Sequence, residues 1–240
     1  MRVGVKIGPM NSEEYIEEIS PYADFFEVYA LPGYDCDFLL KYKKPVVIHL
    51  PHFRQKYNLC NPARKEKSLE ALHWAVKLAD KFKSDKIIFH ADMKEDENCT
   101  LNNLNSFIKE NFDSRLMIEN VPPASWGFEH LCRTPEEIAE VTKATGVKFC
   151  FDFAHAAEYA MAKKLEIKPF FKKFLALKPS YFHVTDTPLN KDGKSWHLNF
   201  GEGKLDLELV KKLIPKDSWL AIETPGVAEK QKKEIAFLKE

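Results

Sequence analysis

The stretch 149-FCFDFAHA-156 decides the fold, because it combines a buried strand with polar side chains at the strand end. Aromatic and apolar residues come first, yet Asp152 stands among them and His155 follows three residues later. A carboxylate at the end of a buried strand is unfavourable unless another group pairs with it. The stretch therefore predicts a strand that delivers Asp152 to a functional site.

Seven further segments share this character, since each is short, rich in β-branched or aromatic residues and followed by a helical pattern. With 148-KFCFD-152 they are 2-RVGVK-6, 25-FFEVY-29, 45-PVVIHL-50, 86-KIIFH-90, 116-LMIEN-120, 181-YFHVT-185 and 219-WLAIE-223. Strands that alternate with helices indicate parallel β/α architecture, and eight of them close a barrel. We predict an α/β protein with a single (β/α)₈ barrel domain over residues 1–240. A doubly wound open sheet is the alternative, but no GxGxxG turn follows the first segment.

Length and composition agree with this prediction. The chain has 240 residues, of which 45% are apolar, and its 36 basic side chains balance 36 acidic ones. The neutral total gives no support to non-specific polyanion binding, although a local basic patch stays open. Five cysteines without a CxxC pair indicate reduced, intracellular thiols. We expect a cytoplasmic protein without a membrane span, since no apolar run reaches the required length of about 18 residues. The sequence carries no marker of oligomeric state.

Polar side chains follow the apolar strands at their carboxyl ends. In a (β/α)₈ barrel these ends open onto one face, where active sites lie. The candidate site residues lie at these ends or in the adjoining loops: His52, His90, Glu119, Asp152, His155, His183, His197 and Glu223. Two other strand residues are less decisive. The position of His49 favours a core histidine, and Glu27 either lines the same bowl or pairs with a neighbouring cation.

The recurrence of carboxylates and imidazoles in strand after strand predicts a metal site. Any one of them alone could be a core or loop residue whose polar atoms are hydrogen-bonded within the protein. Three or more carboxylates in one bowl, however, raise each other's pKa unless a cation compensates them. Few strand-end lysines or arginines are available in this sequence. A divalent ion is the simplest compensating charge, and mixed His, Asp and Glu ligands suit Zn²⁺, Mn²⁺ or Fe²⁺ better than Ca²⁺.

Several motifs together resemble the xylose isomerase-like TIM barrel superfamily, and within it the endonuclease IV branch, AP endonuclease family 2. They are 52-HFRQKYNL-59, 87-IIFHAD-92, 116-LMIENVPP-123, 149-FCFDFAHA-156, 182-FHVTD-186, 197-HLNFGEG-203 and 221-AIETP-225. The resemblance implies a cluster of three metal ions. His52 and His90 would hold the first ion, and Glu119 would bridge it to the second. The second ion would be completed by Asp152, His183 and Glu223.

The third ion of the cluster would be held by His155 and His197, and here the sequence departs from the family. The family has an Asp two residues before the second of these histidines, where this chain has Ser195. The family's nuclease-type aromatic, which helps to engage bent DNA, is replaced by Gln55. The number of bound ions, two or three, is therefore left open.

The resemblance leaves two enzymatic functions open. The first is a DNA-repair hydrolase that uses Zn²⁺ or Mn²⁺ to cleave phosphoesters in abasic or damaged DNA. In it Glu119 bridges two ions and Glu223 orients the attacking water. The second is an isomerase or epimerase of a small sugar or sugar phosphate. It would hold one Mn²⁺, Mg²⁺ or Co²⁺ with Glu119, Asp152, His183 and Glu223. The histidine count favours the hydrolase, whereas Ser195 and Gln55 favour the isomerase. A barrel that only binds a ligand is a third option.

The substrate cannot be read from the loops between the strands. Trp126, Phe128 and Trp196 could stack on either a sugar or a base.

Overall fold

Eight parallel strands form a closed barrel in the computed structural model, which describes residues 1–125, 127–190 and 197–240. The predicted (β/α)₈ barrel is confirmed. The strands are β1 (Arg2–Ile7), β2 (Phe25–Tyr29), β3 (Val46–His49), β4 (Ile87–His90), β5 (Leu116–Glu119), β6 (Lys148–Asp152), β7 (Tyr181–Val184) and β8 (Trp219–Ile222). Each differs from its predicted segment by no more than a residue or two at either end.

Helices cover the outside of the barrel. They are α1 (Glu13–Ile19), α2 (Lys65–Phe82), α3 (Leu101–Glu110), α4 (Pro135–Thr145), α5 (Phe153–Ala162), α6 (Ile167–Leu175), α7 (Leu207–Leu213) and α8 (Ala228–Lys239). A 3₁₀ helix, Asp37–Tyr42, takes the place of an α-helix between β2 and β3. Two α-helices, α5 and α6, lie between β6 and β7. None of the described helices is long and apolar enough to cross a membrane.

The ring closes where β1 pairs with both β2 and β8. Gly4 lies opposite Phe25 on one side and Ala221 on the other. A Cβ atom on Gly4 would lie 2.3 Å from the ring of Phe25, so the aromatic ring occupies the space that the glycine leaves inside the barrel. A larger residue in β1 would force this ring out of its place.

Two layers of inward-facing side chains fill the barrel. The lower layer contains one small or apolar residue from each strand: Gly4, Phe25, Val47, Ile88, Met117, Cys150, Tyr181 and Ala221. Side chains on a strand alternate between its two faces, so the residue two positions later faces the same way. In all eight strands that residue is charged or an imidazole: Lys6, Glu27, His49, His90, Glu119, Asp152, His183 and Glu223. The pleat therefore places a polar layer on top of an apolar one.

The outer face of β6 packs against helices rather than water. The ring centroid of Phe151 lies 4.3 Å from that of Phe153 in α5 and 5.0 Å from that of Phe174 in α6. All three rings are completely buried. This aromatic packing fixes β6, and with it the strand end that carries Asp152.

We expect Phe151→Ala to lower the free energy of unfolding by about 3–5 kcal/mol, because it leaves a cavity in a close-packed aromatic cluster. Chemical denaturation followed by circular dichroism measures this change. Phe112→Ala is the matched control, since the Phe112 side chain is 52% exposed and its loss should cost about 0.5 kcal/mol or less. Equal losses in the two variants would contradict the assigned packing.

Candidate metal centre

The polar layer of the barrel buries four carboxylates with a single ammonium group. Glu27, Glu119, Asp152 and Glu223 are all buried, and the Lys6 side chain is 22% exposed. Carboxylates gathered in a buried place repel one another unless cations or hydrogen bonds compensate them. The contacts made by their oxygens therefore indicate what the site can bind.

Glu119 lies at the centre of this layer, and its two oxygens face different imidazoles. Oε2 lies 3.0 Å from Nε2 of His90 and 3.2 Å from Nε2 of His49. Oε1 lies 3.1 Å from Nδ1 of His183 and 3.4 Å from Nδ1 of His155. One carboxylate thus joins two separate groups of nitrogen donors.

His183 is held in one orientation by the buried carboxylate of Glu27. Its Nε2 donates a hydrogen bond to Oε2 of Glu27 at 2.8 Å, and the Tyr181 hydroxyl donates to the same oxygen at 2.8 Å. Nδ1 faces the opposite way, 3.2 Å from Oε1 of Glu223. Histidines that bind metals commonly donate their other ring N–H to a carboxylate or carbonyl in this way.

Three further imidazoles have the complementary arrangement. The Nδ1 atom of each donates to a backbone carbonyl: His49 to Leu50 at 2.7 Å, His155 to Asn120 at 3.0 Å and His197 to Glu223 at 2.8 Å. A carbonyl oxygen can only accept, so each Nδ1 carries a hydrogen, and Nε2 has a lone pair when the imidazole is neutral. The backbone therefore selects the tautomer that offers Nε2 as a ligand atom.

The pKa values in this layer show a deficit of positive charge. Burial lowers the pKa of His155, but the carboxylates of Asp152 and Glu119 raise it to about 10. The pKa of His183 is also raised well above its usual value, because its carboxylate neighbours outweigh burial. For Glu119, burial raises the pKa, yet His183 and His90 hold it well below its usual value. The glutamates stay ionised and draw protons onto His155 and His183, whereas burial lowers the pKa of His90 to about 4.

The donor atoms fit a divalent ion. Glu119, Asp152, His183 and Glu223 each place one ligand atom within 4.8 Å of the others, and so do His49, His90 and Glu119. Within the described part of the chain, three buried atoms of the first group lack a hydrogen-bond partner of acceptable geometry: Glu119 Oε1, Asp152 Oδ2 and His183 Nδ1. Buried polar atoms without a partner are costly. An ion bound between them would satisfy all three.

The structure brings together the possible ligand atoms of five of the eight sequence-predicted site residues, places His155 against Glu119 and Asp152, and leaves His52 and His197 at the border of the layer. The five are His90, Glu119, Asp152, His183 and Glu223. At the border, the His52 ring stacks on that of His90, with centroids 5.3 Å apart, and the His197 ring lies 5.9 Å from that of His155. Ser195, Trp126 and Trp196 lie outside the described residues.

Three residues of the polar layer were missed or misjudged from the sequence. His49 was expected in the core, and it is buried, but its Nε2 reaches Glu119. Glu27 was undecided and proves to fix His183. Lys6 was not considered, yet its Nζ lies 2.5 Å from Oε1 of Glu223 and 3.5 Å from Oε1 of Glu27. All three could have been recognised from the sequence in one way. Each stands two positions after the small or apolar residue that its strand directs into the barrel.

A cavity of about 590 Å³ opens beside the layer, next to Lys6, Glu223, His52 and His197. Its wall includes Tyr29, whose hydroxyl donates to the side-chain oxygen of Gln55 and accepts from the His52 backbone N–H at 3.2 Å. The residue that replaces the nuclease-type aromatic thus forms part of a polar wall. The cavity thus borders the polar layer at Lys6 and Glu223.

Solved structures of known proteins share this fold. Endonuclease IV from Thermus thermophilus has a TM-score of 0.74 at 18% identity, over 100% of this chain and 97% of that one. A second protein from the same organism, solved after soaking with zinc chloride, has a TM-score of 0.71 at 21% identity, over 99% and 98%. The 3-keto-D-glucoside 4-epimerase of E. coli has a TM-score of 0.67 at 12% identity, over 100% and 99%. Identities this low show the fold alone.

A comparison with curated proteins gave no match. The family model for xylose isomerase-like TIM barrels, by contrast, matches residues 38–240. This range contains six of the eight strands and most of the polar layer. The closed barrel of the structure is the fold that this family model describes. The chain belongs to the xylose isomerase-like TIM barrel family.

Proposed function

We propose that this protein is a divalent-metal-dependent phosphoester hydrolase that cleaves abasic or damaged DNA, in the manner of endonuclease IV. The observation that carries this proposal is the position of Glu119 between two groups of imidazoles. A carboxylate whose oxygens face different donor sets can bridge two ions, as in sites that stabilise the attacking and the leaving oxygen of a phosphoester. An isomerase that uses one ion does not need the second group.

The proposed ligands follow from this arrangement. They are His52, His90, Glu119, Asp152, His155, His183, His197 and Glu223, with His49 as an addition to the sequence-based set. Nitrogen and carboxylate donors of this mixture suit Zn²⁺ or Mn²⁺. We expect two ions at the Glu119 groups and a third, weaker position at His155 and His197, where Ser195 replaces the family's Asp.

Bound divalent ions would supply Lewis-acid chemistry, since they lower the pKa of water and neutralise charge on the attacked phosphate. The protein's own residues hold the reaction in place. Oε1 of Glu223 accepts a hydrogen bond from Lys6, which leaves Oε2 to orient the attacking water and accept its proton. Glu119 contacts the imidazoles of His49 and His90 with one oxygen and those of His183 and His155 with the other, and so fixes the distance between these two groups. Glu27 prevents rotation of the His183 ring, so its Nδ1 stays directed at the carboxylates.

A sugar isomerase or epimerase is the second candidate, and the cavity favours it. Its volume of about 590 Å³ is in the range of small-molecule sites, and Tyr29 and Gln55 offer polar contacts to hydroxyl groups. The four donors Glu119, Asp152, His183 and Glu223 would then hold one Mn²⁺, Mg²⁺ or Co²⁺. Glu119 and Glu223 would move a proton on and off the carbon beside the carbonyl.

We expect Glu119→Gln to reduce cleavage of an abasic-site duplex by about 100-fold or more, because the substitution removes a shared ligand. Elemental analysis of the purified protein should show at least two transition-metal ions per chain in the wild type and fewer in the variant. Glu140→Gln, which changes an exposed glutamate of α4, should alter neither the ion content nor the cleavage rate.

A paired assay separates the two candidate functions. The wild-type protein, supplied with Zn²⁺ or Mn²⁺, is tested on an abasic duplex and on a panel of ketoses and ketose phosphates. Cleavage of the duplex supports the hydrolase. Epimerisation of a sugar without cleavage, together with one bound ion or none, would refute it and favour the isomerase.

We expect His197→Ala to lose no more than one ion and to keep the ions at Glu119. The His197 side chain is 37% exposed, and its Nδ1 lies 3.6 Å from Oε2 of Glu223. The expected loss of cleavage is about tenfold, the scale of a partner that supports a metal site indirectly. Ion content and duplex cleavage, measured as for Glu119→Gln, test this. A loss as large as that of Glu119→Gln would show that the third position is essential.

A further inference from the structure

We propose that Lys6 is a substrate-binding residue whose ammonium group donates a hydrogen bond to a phosphate oxygen of the substrate. The proposal rests on the proposed function in so far as the substrate is a phosphoester. It assigns to β1 a direct contact with the phosphate group of the substrate.

Two buried carboxylates hold the ammonium group of Lys6 on the side that faces the barrel interior. Nζ lies 2.5 Å from Oε1 of Glu223 and 3.5 Å from Oε1 of Glu27. Glu27 is itself held by hydrogen bonds from His183 and Tyr181. An ammonium group has three donors, and the two carboxylates take at most two of them. One donor is therefore left over for a further partner.

The remaining part of Lys6 faces the cavity. Its side chain is 22% exposed, and it lines the cavity together with Glu223, His52 and His197. A molecule that enters the cavity and contacts Glu223 must also pass this ammonium group. Among the residues whose side chains the structure describes, Lys6 is the only lysine or arginine that lines the cavity.

The charge balance of the loaded site favours an anion at this point. While no ion is bound, four buried carboxylates stand against one ammonium group and the two imidazoles whose pKa values are raised, His155 and His183. With two divalent ions and neutral imidazoles, the positive charges exceed the carboxylates by one. The ions then neutralise the carboxylates that bind them. The positive charge of Lys6 is no longer needed for this compensation and can attract an anionic group at close range.

The test measures phosphate binding separately from catalysis. Inorganic phosphate is titrated into zinc-loaded wild-type protein and zinc-loaded Lys6→Gln by calorimetry, and the ion content of each is determined by elemental analysis. Lys6→Gln keeps an amide that can donate to Glu223 and removes the charge. We expect the affinity for phosphate to fall about tenfold or more, the scale of a lost hydrogen bond between charged groups.

Lys230→Gln is the matched control. Lys230 also pairs with a glutamate, Glu202, but its side chain is 49% exposed and it lies on α8 rather than on the cavity. Its substitution removes the same charge from the protein and should leave phosphate affinity unchanged. An equal loss in both variants would mean that net charge alone is responsible, and would overturn the proposal.

Two further results would also overturn it: phosphate affinity in Lys6→Gln equal to that of the wild type, and no phosphate binding by the wild type. If Lys6→Gln loses ions as well as phosphate, nuclear magnetic resonance of labelled lysine in the zinc-loaded wild type decides. A shift of the Lys6 signal on addition of phosphate supports direct contact, and an unchanged signal overturns it.

Substrate assays identify the source of the phosphate group. If the protein cleaves an abasic duplex, KM for the duplex should rise in Lys6→Gln. If it leaves the duplex intact and acts on a ketose phosphate, the proposed hydrolase function fails, while the phosphate titration still tests Lys6. The two proposals can therefore fail independently of each other.

Discussion

The burial of four carboxylates at one end of the barrel is the constraint on which the rest of the site depends. Like charges in a poorly solvated place cannot all stay ionised without compensation. The compensation comes in part from Lys6 and from imidazoles whose pKa values the carboxylates raise. Because the compensation is partial, the layer suits a divalent cation, which would replace the protons that the carboxylates draw onto His155 and His183.

The geometry of the layer comes from the barrel itself more than from its loops. Every strand contributes one residue to the apolar layer and, two positions later, one to the polar layer. Because the lower layer is close-packed, with the Phe25 ring filling the space beside Gly4, the strands cannot shift relative to one another without opening a cavity. Of the candidate ligands, Glu223 directly follows β8, while His52, His155 and His197 lie in the segments after their strands.

The sequence predicted the barrel, because alternation of short strands and helices is visible without an alignment, and it pointed to five residues of the polar layer: His90, Glu119, Asp152, His183 and Glu223. It did not identify Lys6, it left the role of Glu27 open, and it favoured a core position for His49. Strands of a parallel barrel are buried on both faces and read as nearly continuous apolar runs. The side of the strand on which a polar residue lies is therefore hidden, and His49 resembled a core residue. The second helix between β6 and β7 was also missed, since the pattern predicts one helix in each connection.

The hydrogen bond from His183 to Glu27 has a consequence for folding. It crosses the interior from β7 to β2, two strands that do not pair with each other. The correct orientation of His183 therefore exists only when β1 has closed the ring between β2 and β8. A ligand that binds only the native state stabilises it by mass action. An ion held by His183 would therefore stabilise the closed ring, because its binding site is complete only when β1 joins β2 to β8.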